Sequence, residues 1–76
     1  MAELVAFLAR GLVGDPSSVR VETVEEDGAL VLELYVAPDD LGKVIGRQGR
    51  IARALRTLVR AGGVHEGRRM LLKIVG

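Results

Sequence analysis

The residues best suited to chemistry lie in one unbroken run, Gly42-Lys43-Val44-Ile45-Gly46-Arg47-Gln48-Gly49-Arg50-Ile51-Ala52-Arg53. Two glycines stand three apart, with a polar pair between them and cations before, inside and after. Glycine lacks a Cβ, so it takes positive φ in a tight turn and lets backbone N–H groups approach another chain closely. A phosphodiester backbone is such a guest. Arg47 and Arg50 would supply charge, and the start of the following helix would add free N–H groups and the positive end of its dipole. An isolated glycine pair at this spacing is more simply a helix cap followed by a hinge, so the segment needs support from the rest of the chain.

Charge gives part of that support. Residues 1–42 carry two basic and nine acidic side chains, net −7, whereas residues 43–76 carry nine basic ones against Glu66 alone, net +8. A concentration of Lys43, Arg47, Arg50, Arg53, Arg56, Arg60, Arg68, Arg69 and Lys73 is the footprint of a polyanion partner. The plainer alternative is that the two halves neutralise one another, within one chain or across a dimer.

Other chemistry is poorly supplied. There is no cysteine, hence no disulfide framework and no thiolate metal site. His65 stands in a glycine-rich turn, and Ser17 and Ser18 adjoin Pro16 with nothing to activate them, so neither a catalytic constellation nor a metal site is expected. The phosphate loop of nucleotide hydrolases and the dinucleotide fingerprint are both missing, and no cofactor is expected. With one Phe, one Tyr and no Trp, base-stacking platforms are nearly absent. No apolar run approaches the roughly 20 residues that span a bilayer, so the expectation is a soluble, cytoplasmic protein without membrane contact.

The elements that must position the glycine run follow from periodicity. Leu4, Phe7, Leu8, Gly11 and Leu12 fall at helical spacing over residues 2–13, closed by Gly14 and Asp15-Pro16. Val19, Val21 and Thr23 alternate with charged residues, Asp27-Gly28 offers a type I′ turn, and Leu30, Leu32, Leu34 and Val36 line one face of a second strand. Pro38 ends it. Asp39 or Asp40 caps a short helix carrying Leu41, Val44 and Ile45. A longer helix over residues 51–61 presents Ile51, Ala54, Leu55, Leu58 and Val59 on one side and Arg53, Arg56 and Arg60 on the other. Ala61-Gly62-Gly63 is expected to break it, and residues 68–75 form a last strand with Met70, Leu72 and Ile74 inward. The result is one α+β domain over residues 1–76, ordered α-β-β-α-α-β, with helices on one face of a three-stranded sheet.

Val44-Ile45-Gly46-Arg47-Gln48-Gly49 resembles the V-I-G-x-x-G signature of KH domains, and the element order resembles their type II arrangement. The fuller string from Gly42 to Ala52, on so short a chain, resembles the KhpA family of small bacterial KH proteins. Read from their places in the chain, Lys43, Arg50 and Arg53 would extend a phosphate-facing surface, the alternative for Lys43 and Arg53 being an ordinary solvated face. The resemblance implies that Gly46, Arg47, Gln48 and Gly49 clamp the backbone of about four nucleotides of single-stranded RNA. It further implies an apolar groove for bases bounded by Val44, Ile45, Ile51 and Ala52, with Leu55 deeper and the second strand around Leu34 to Val36 as the opposite wall. Many KH domains carry a large aliphatic three residues after the second glycine. Here that position is Ala52 and the large residue is Ile51, which implies a shallower groove.

The family resemblance also implies self-association, pairing with the larger KH protein KhpB (Jag), and a role as post-transcriptional regulator or RNA chaperone in control of cell division and envelope growth. The alternative is an interaction module in which RNA contact is secondary. In that case the helix after the glycine run would pair two subunits through Leu58, Val59 and Ala61.

Overall fold

The computed structural model describes residues 1–75. The chain runs α1 (Ala2–Leu12), β1 (Arg20–Glu26), β2 (Ala29–Tyr35), α2 (Leu41–Ile45), α3 (Arg50–His65) and β3 (Met70–Val75). Single turns of 3₁₀ helix lie at Pro16–Ser18, Pro38–Asp40 and Arg47–Gly49. The α-β-β-α-α-β order and the α+β class expected from the sequence are observed.

β1 and β2 form an antiparallel hairpin whose register runs from Arg20 opposite Tyr35 to Glu26 opposite Ala29. Its two-residue loop has Asp27 at φ 51° and Gly28 at φ 80°, the positive pair that a type I′ turn requires. β3 then adds parallel to β2, with Leu30, Leu32 and Leu34 beside Met70, Leu72 and Ile74. The sheet is mixed, in the order β1-β2-β3, and its central strand has no free edge. Parallel neighbours need a crossover, here made of α2, the glycine turn and α3.

The core lies on one face of this sheet, where Leu32, Leu34, Met70 and Leu72 meet Val5 and Ala9 from α1, Val44 from α2, and Leu55 and Val59 from α3. Side chains alternate across a strand, so Glu33, Tyr35 and Lys73 occupy the opposite face. There the Arg20 guanidinium sits 3.9 Å above the Tyr35 ring.

The structure departs from the sequence pattern at two places. The helical stripe of Leu4, Phe7, Gly11 and Leu12 marks α1 but is not its buried face. Val5, Ala6 and Ala9 are buried, while Leu4, Phe7 and Leu12 are 43%, 69% and 38% exposed. Small side chains let the helix lie close to the sheet, whereas periodicity among the larger residues points elsewhere.

The second departure, a correction, concerns the glycine pair, because α3 continues through Gly62 and Gly63 to His65. Gly63 is buried, and a Cβ there would meet the Arg68 carbonyl and come within 3.0 Å of the Met70 nitrogen. The missing side chain admits the returning strand. The helix stops at Gly67, where φ is 68°. The Gly67 N–H donates to the Val64 carbonyl at 3.1 Å and the Arg68 N–H to the Gly63 carbonyl at 2.7 Å, a Schellman closure. His65 is therefore an exposed residue of the last helical turn. Of the residues on the alternative pairing surface, Val59 is fully buried, whereas Leu58 is half-buried and Ala61 exposed.

Candidate nucleic-acid interface

α2 ends where the Gly46 N–H donates to the Gly42 carbonyl at 2.9 Å, and the Gly49 N–H then donates to the Gly46 carbonyl at 3.1 Å. Between these bonds the backbone turns through Gly46 (φ 77°, ψ 172°), Gln48 (φ 57°, ψ 25°) and Gly49 (φ 73°, ψ 17°). The Gly46 conformation is open essentially only to glycine. Its vacant side-chain position is also filled, since a Cβ would stand 2.7 Å from Ile51 Cγ1. Gly49 differs: nothing lies within 4 Å of the place its Cβ would take, so the backbone entering α3 is bare.

Cations surround this bare turn. The Arg53 guanidinium donates to the Gln48 carbonyl at 3.2 Å, and that of Arg50 donates to Gln48 Oε1 at 3.4 Å. Both arginines fold back over the turn and use a fraction of their five donors each. Arg47 and Gln48 are exposed. Among the described residues the ion pairs are Arg20–Glu22, Lys43–Asp40 and Arg68–Glu25. None engages Arg47, Arg50, Arg53, Arg56 or Arg60. The acidic half of the chain therefore does not neutralise the arginines around the turn.

Lys43 lies under a different constraint. Its ammonium is 3.2 Å from Asp40 Oδ1, and Asp40 is 4% exposed. Asp40 does not cap α2. Its carboxylate accepts the N–H of Gly14 at 3.1 Å and of Asp15 at 3.0 Å, tying the chain after α1 to the helix that carries the glycine turn. The Gly14 N–H, above all, holds the Asp40 carboxyl below the usual aspartate range, against the opposing effect of burial. This latch was not legible in the sequence, because its partners lie 25 and 26 residues away.

The apolar candidates divide. Val44, Ala52 and Leu55 are buried in the domain, Ile51 is half-buried and Ile45 is 36% exposed. Val44 thus holds α2 against the core. The residues expected to form the opposite wall of a groove are not at an open surface: β2 is central, and Leu34 and Val36 are buried. The free edge beside α3 is β3, and a concave surface lined by Arg56, Arg60, Leu71 and Leu72 runs between them. Tyr35 lies on the far face of the sheet. Arg56 and Arg60 share the helix face of Arg53, at offsets of three and seven residues.

A mixed three-stranded sheet in α-β-β-α-α-β order, with a G-x-x-G turn joining two of its helices, defines a KH domain of type II. The match to known proteins is closer than the class. The family described as KhpA/KhpB, KH domain, matches residues 2–74, and the chain belongs to that family. It is 47% identical over 75 residues to the RNA-binding protein KhpA of Caldanaerobacter subterraneus subsp. tengcongensis, covering 99% of this chain and 100% of that one. It is 47% identical to the RNA-binding protein KhpA of Aquifex aeolicus, covering 99% and 95%. For the protein of the same name in Treponema pallidum the figures are 48% identity, 96% and 91%. Among solved structures it resembles a variant of Aquifex aeolicus Era bound to GDP and aluminium fluoride, with a TM-score of 0.61 at 22% identity over 96% of this chain. The chain spans 28% of that protein's length, and the likeness shows the fold.

Proposed function

We propose that residues 1–76 act as one RNA-binding unit that grips the backbone of a short single strand at the turn from Gly46 to Gly49. The observation that carries this is the bare, left-handed turn at the head of α3, ringed by Arg47, Arg50 and Arg53 with no carboxylate paired to them among the described residues. The names of the KhpA relatives support the choice of RNA. Gly46 sets the turn, Gly49 opens the backbone to a phosphate, and Arg47 and Gln48 reach the strand. Arg50 and Arg53 hold the turn and add charge. Ile45 and Ile51 offer the apolar margin, with Val44 behind them, and Lys43 adds charge from the Asp40 latch. Bases then lie toward the surface between α3 and β3, past Arg56 and Arg60. Nothing stacks on an aromatic there, so affinity is micromolar and sequence preference slight.

The test is titration of the purified protein with a short fluorescent single-stranded RNA across a salt series, beside Arg47→Asp/Gln48→Asp shown to be folded. Binding by the native chain alone supports the clamp. Equal binding by both moves the contact elsewhere on the basic face, and binding by neither removes RNA from the function.

On the same reading the protein is a cytoplasmic post-transcriptional regulator or RNA chaperone. It pairs with itself or with a KhpB-type KH protein and serves control of cell division and envelope growth. Family membership supports this. Co-purification of tagged native protein with KhpB, and its loss or retention in the turn variant, tests the pairing and its dependence on RNA.

A further inference from the structure

At the end of α3 remote from the glycine turn, the helix and the approach to β3 leave an open hollow of about 590 Å³, lined by Arg60, Val64, Gly67, Arg69, Met70 and Leu71. Clefts of about 300–1,000 Å³ hold small organic groups. The floor is aliphatic: Val64 is 81% exposed, and nothing stands within 4 Å of the position a Gly67 Cβ would take, so no side chain closes the entrance there. The rim is cationic. Neither Arg60 nor Arg69 belongs to an ion pair among the described residues, whereas Arg68, which also borders the hollow, is held by Glu25 at 2.6 Å.

This chemistry selects an occupant. Unpaired guanidinium groups over an apolar floor are complementary to a nucleotide, whose phosphate meets the charges while its base covers the aliphatic surface. An apolar peptide would cover the arginines without pairing them, which is costly. The hollow is also continuous with the concave surface nearer the turn, since Arg60 and Leu71 border both.

We propose that the RNA strand leaving the grip runs on along α3 and seats its next two nucleotides in this hollow, so that the protein covers about six nucleotides where the clamp alone takes about four. The proposal rests on the RNA-gripping reading and extends it. The lengths agree. Four nucleotides at the roughly 3.4 Å spacing of a stacked strand span about 14 Å. Arg60 stands eleven residues beyond Gly49, about 16 Å along the helix, and Val64 about 22 Å. The fourth nucleotide therefore ends beside Arg60, and two more reach Val64. Arg69 meets a phosphate that lies beyond the clamp, and Val64 and Leu71 pack on a base without selecting its identity.

Titration of the full chain with fluorescent oligouridylates of four and six nucleotides across a salt series tests this, beside Arg69→Gln and Val64→Asp, both at exposed positions. For the native chain the slope of log K against log salt should be steeper on the hexamer by about 1.4, two phosphates at about 0.7 each. Arg69→Gln should lose about half of that increment and bind the tetramer as the native chain does. Val64→Asp should weaken hexamer binding at least about threefold. It should leave the tetramer unchanged, because at 0.1 M salt its charge is screened over about 10 Å. Equal slopes on the two lengths, or a hexamer increment that both variants leave intact, overturn the hollow as a subsite while the grip stands. Equal weakening of tetramer and hexamer overturns it as well, since those side chains then act on the grip itself. A native chain that binds neither length removes the grip and the extension together.

Discussion

Ile51 occupies the space that a side chain at Gly46 would need: a Cβ on Gly46 would stand 2.7 Å from Ile51 Cγ1. The first glycine of the turn is thus fixed twice, by its backbone conformation and by the first turn of the helix that follows. Gly46→Ala is expected to cost about 3 kcal/mol from the disallowed conformation and the displaced Ile51 together, read as a lowered urea midpoint. Shortening Ile51 to Ala in the same chain should recover the steric part only. Gly49→Ala, with open space around it, should cost about 1 kcal/mol for its left-handed conformation. Equal losses at the two glycines would refute the asymmetry.

Arg47 and Lys43 flank the same turn under different constraints, and a salt series separates them. Arg47→Ala should lower the magnitude of the slope of log K against log salt by about 0.7, the contribution of one phosphate on a single strand. Lys43→Met should lower that slope by less than Arg47→Ala does and reduce thermal stability as well, because its ammonium is engaged by Asp40. A full phosphate's worth of slope lost with Lys43→Met would show that the latch opens in the complex.

The Asp40 latch gives stability a pH signature. Its folded carboxyl lies below the ordinary aspartate value, chiefly through the Gly14 N–H, so its contribution is fully present above the unfolded pKa of about 3.9. The contribution is lost as pH falls through the folded value. Asp40→Asn should melt below the native chain at neutral pH, and the gap should shrink on acidification below that range. Asp15 is depressed in the same direction, first by the Ser17 hydroxyl, and comparing Asp40→Asn with the native chain leaves that effect in both proteins. A gap unchanged by pH would mean that geometry alone, and no charge, accounts for the latch.

Gly62 and Gly63 look alike in the sequence and should respond differently. A methyl on Gly63 meets the backbone of Arg68 and Met70, which belong to the chain entering β3, so Gly63→Ala should cost about 2 kcal/mol or more. A methyl on Gly62 meets the flexible end of Met1, which can swing aside, and alanine regains up to about 1 kcal/mol of helix propensity. Chemical denaturation of the two variants decides it.

The same two glycines mark where the sequence stops being legible. Features specified by near neighbours can be read: the hairpin from Asp27-Gly28 and its alternating flanks, the glycine turn from its spacing, and the basic face of α3 from its period. Features specified by distant partners cannot. Gly63 is small because β3 returns beside it, Asp40 is acidic because Gly14 and Asp15 need an acceptor, and Ala6 and Ala9 are small because α1 must lie close to the sheet. A local pattern also cannot tell which strand ends at an edge. The family resemblance puts the groove wall on β2, whereas the parallel pairing with β3 makes β2 central.

The crossover between β2 and β3 has a kinetic consequence. The β1–β2 hairpin is local and can form early, whereas the parallel ladder must wait until the whole segment from α2 to α3 has closed, after its loop entropy has been met. The glycine turn lies inside that segment, so the grip takes shape only as the last strand docks. A strand of RNA that recognises the closed turn then holds the entire chain folded, adding about 2.7 kcal/mol when present at a hundred times its dissociation constant. Protection from proteolysis by RNA should accordingly extend to β1, at the edge of the sheet opposite the α3–β3 surface.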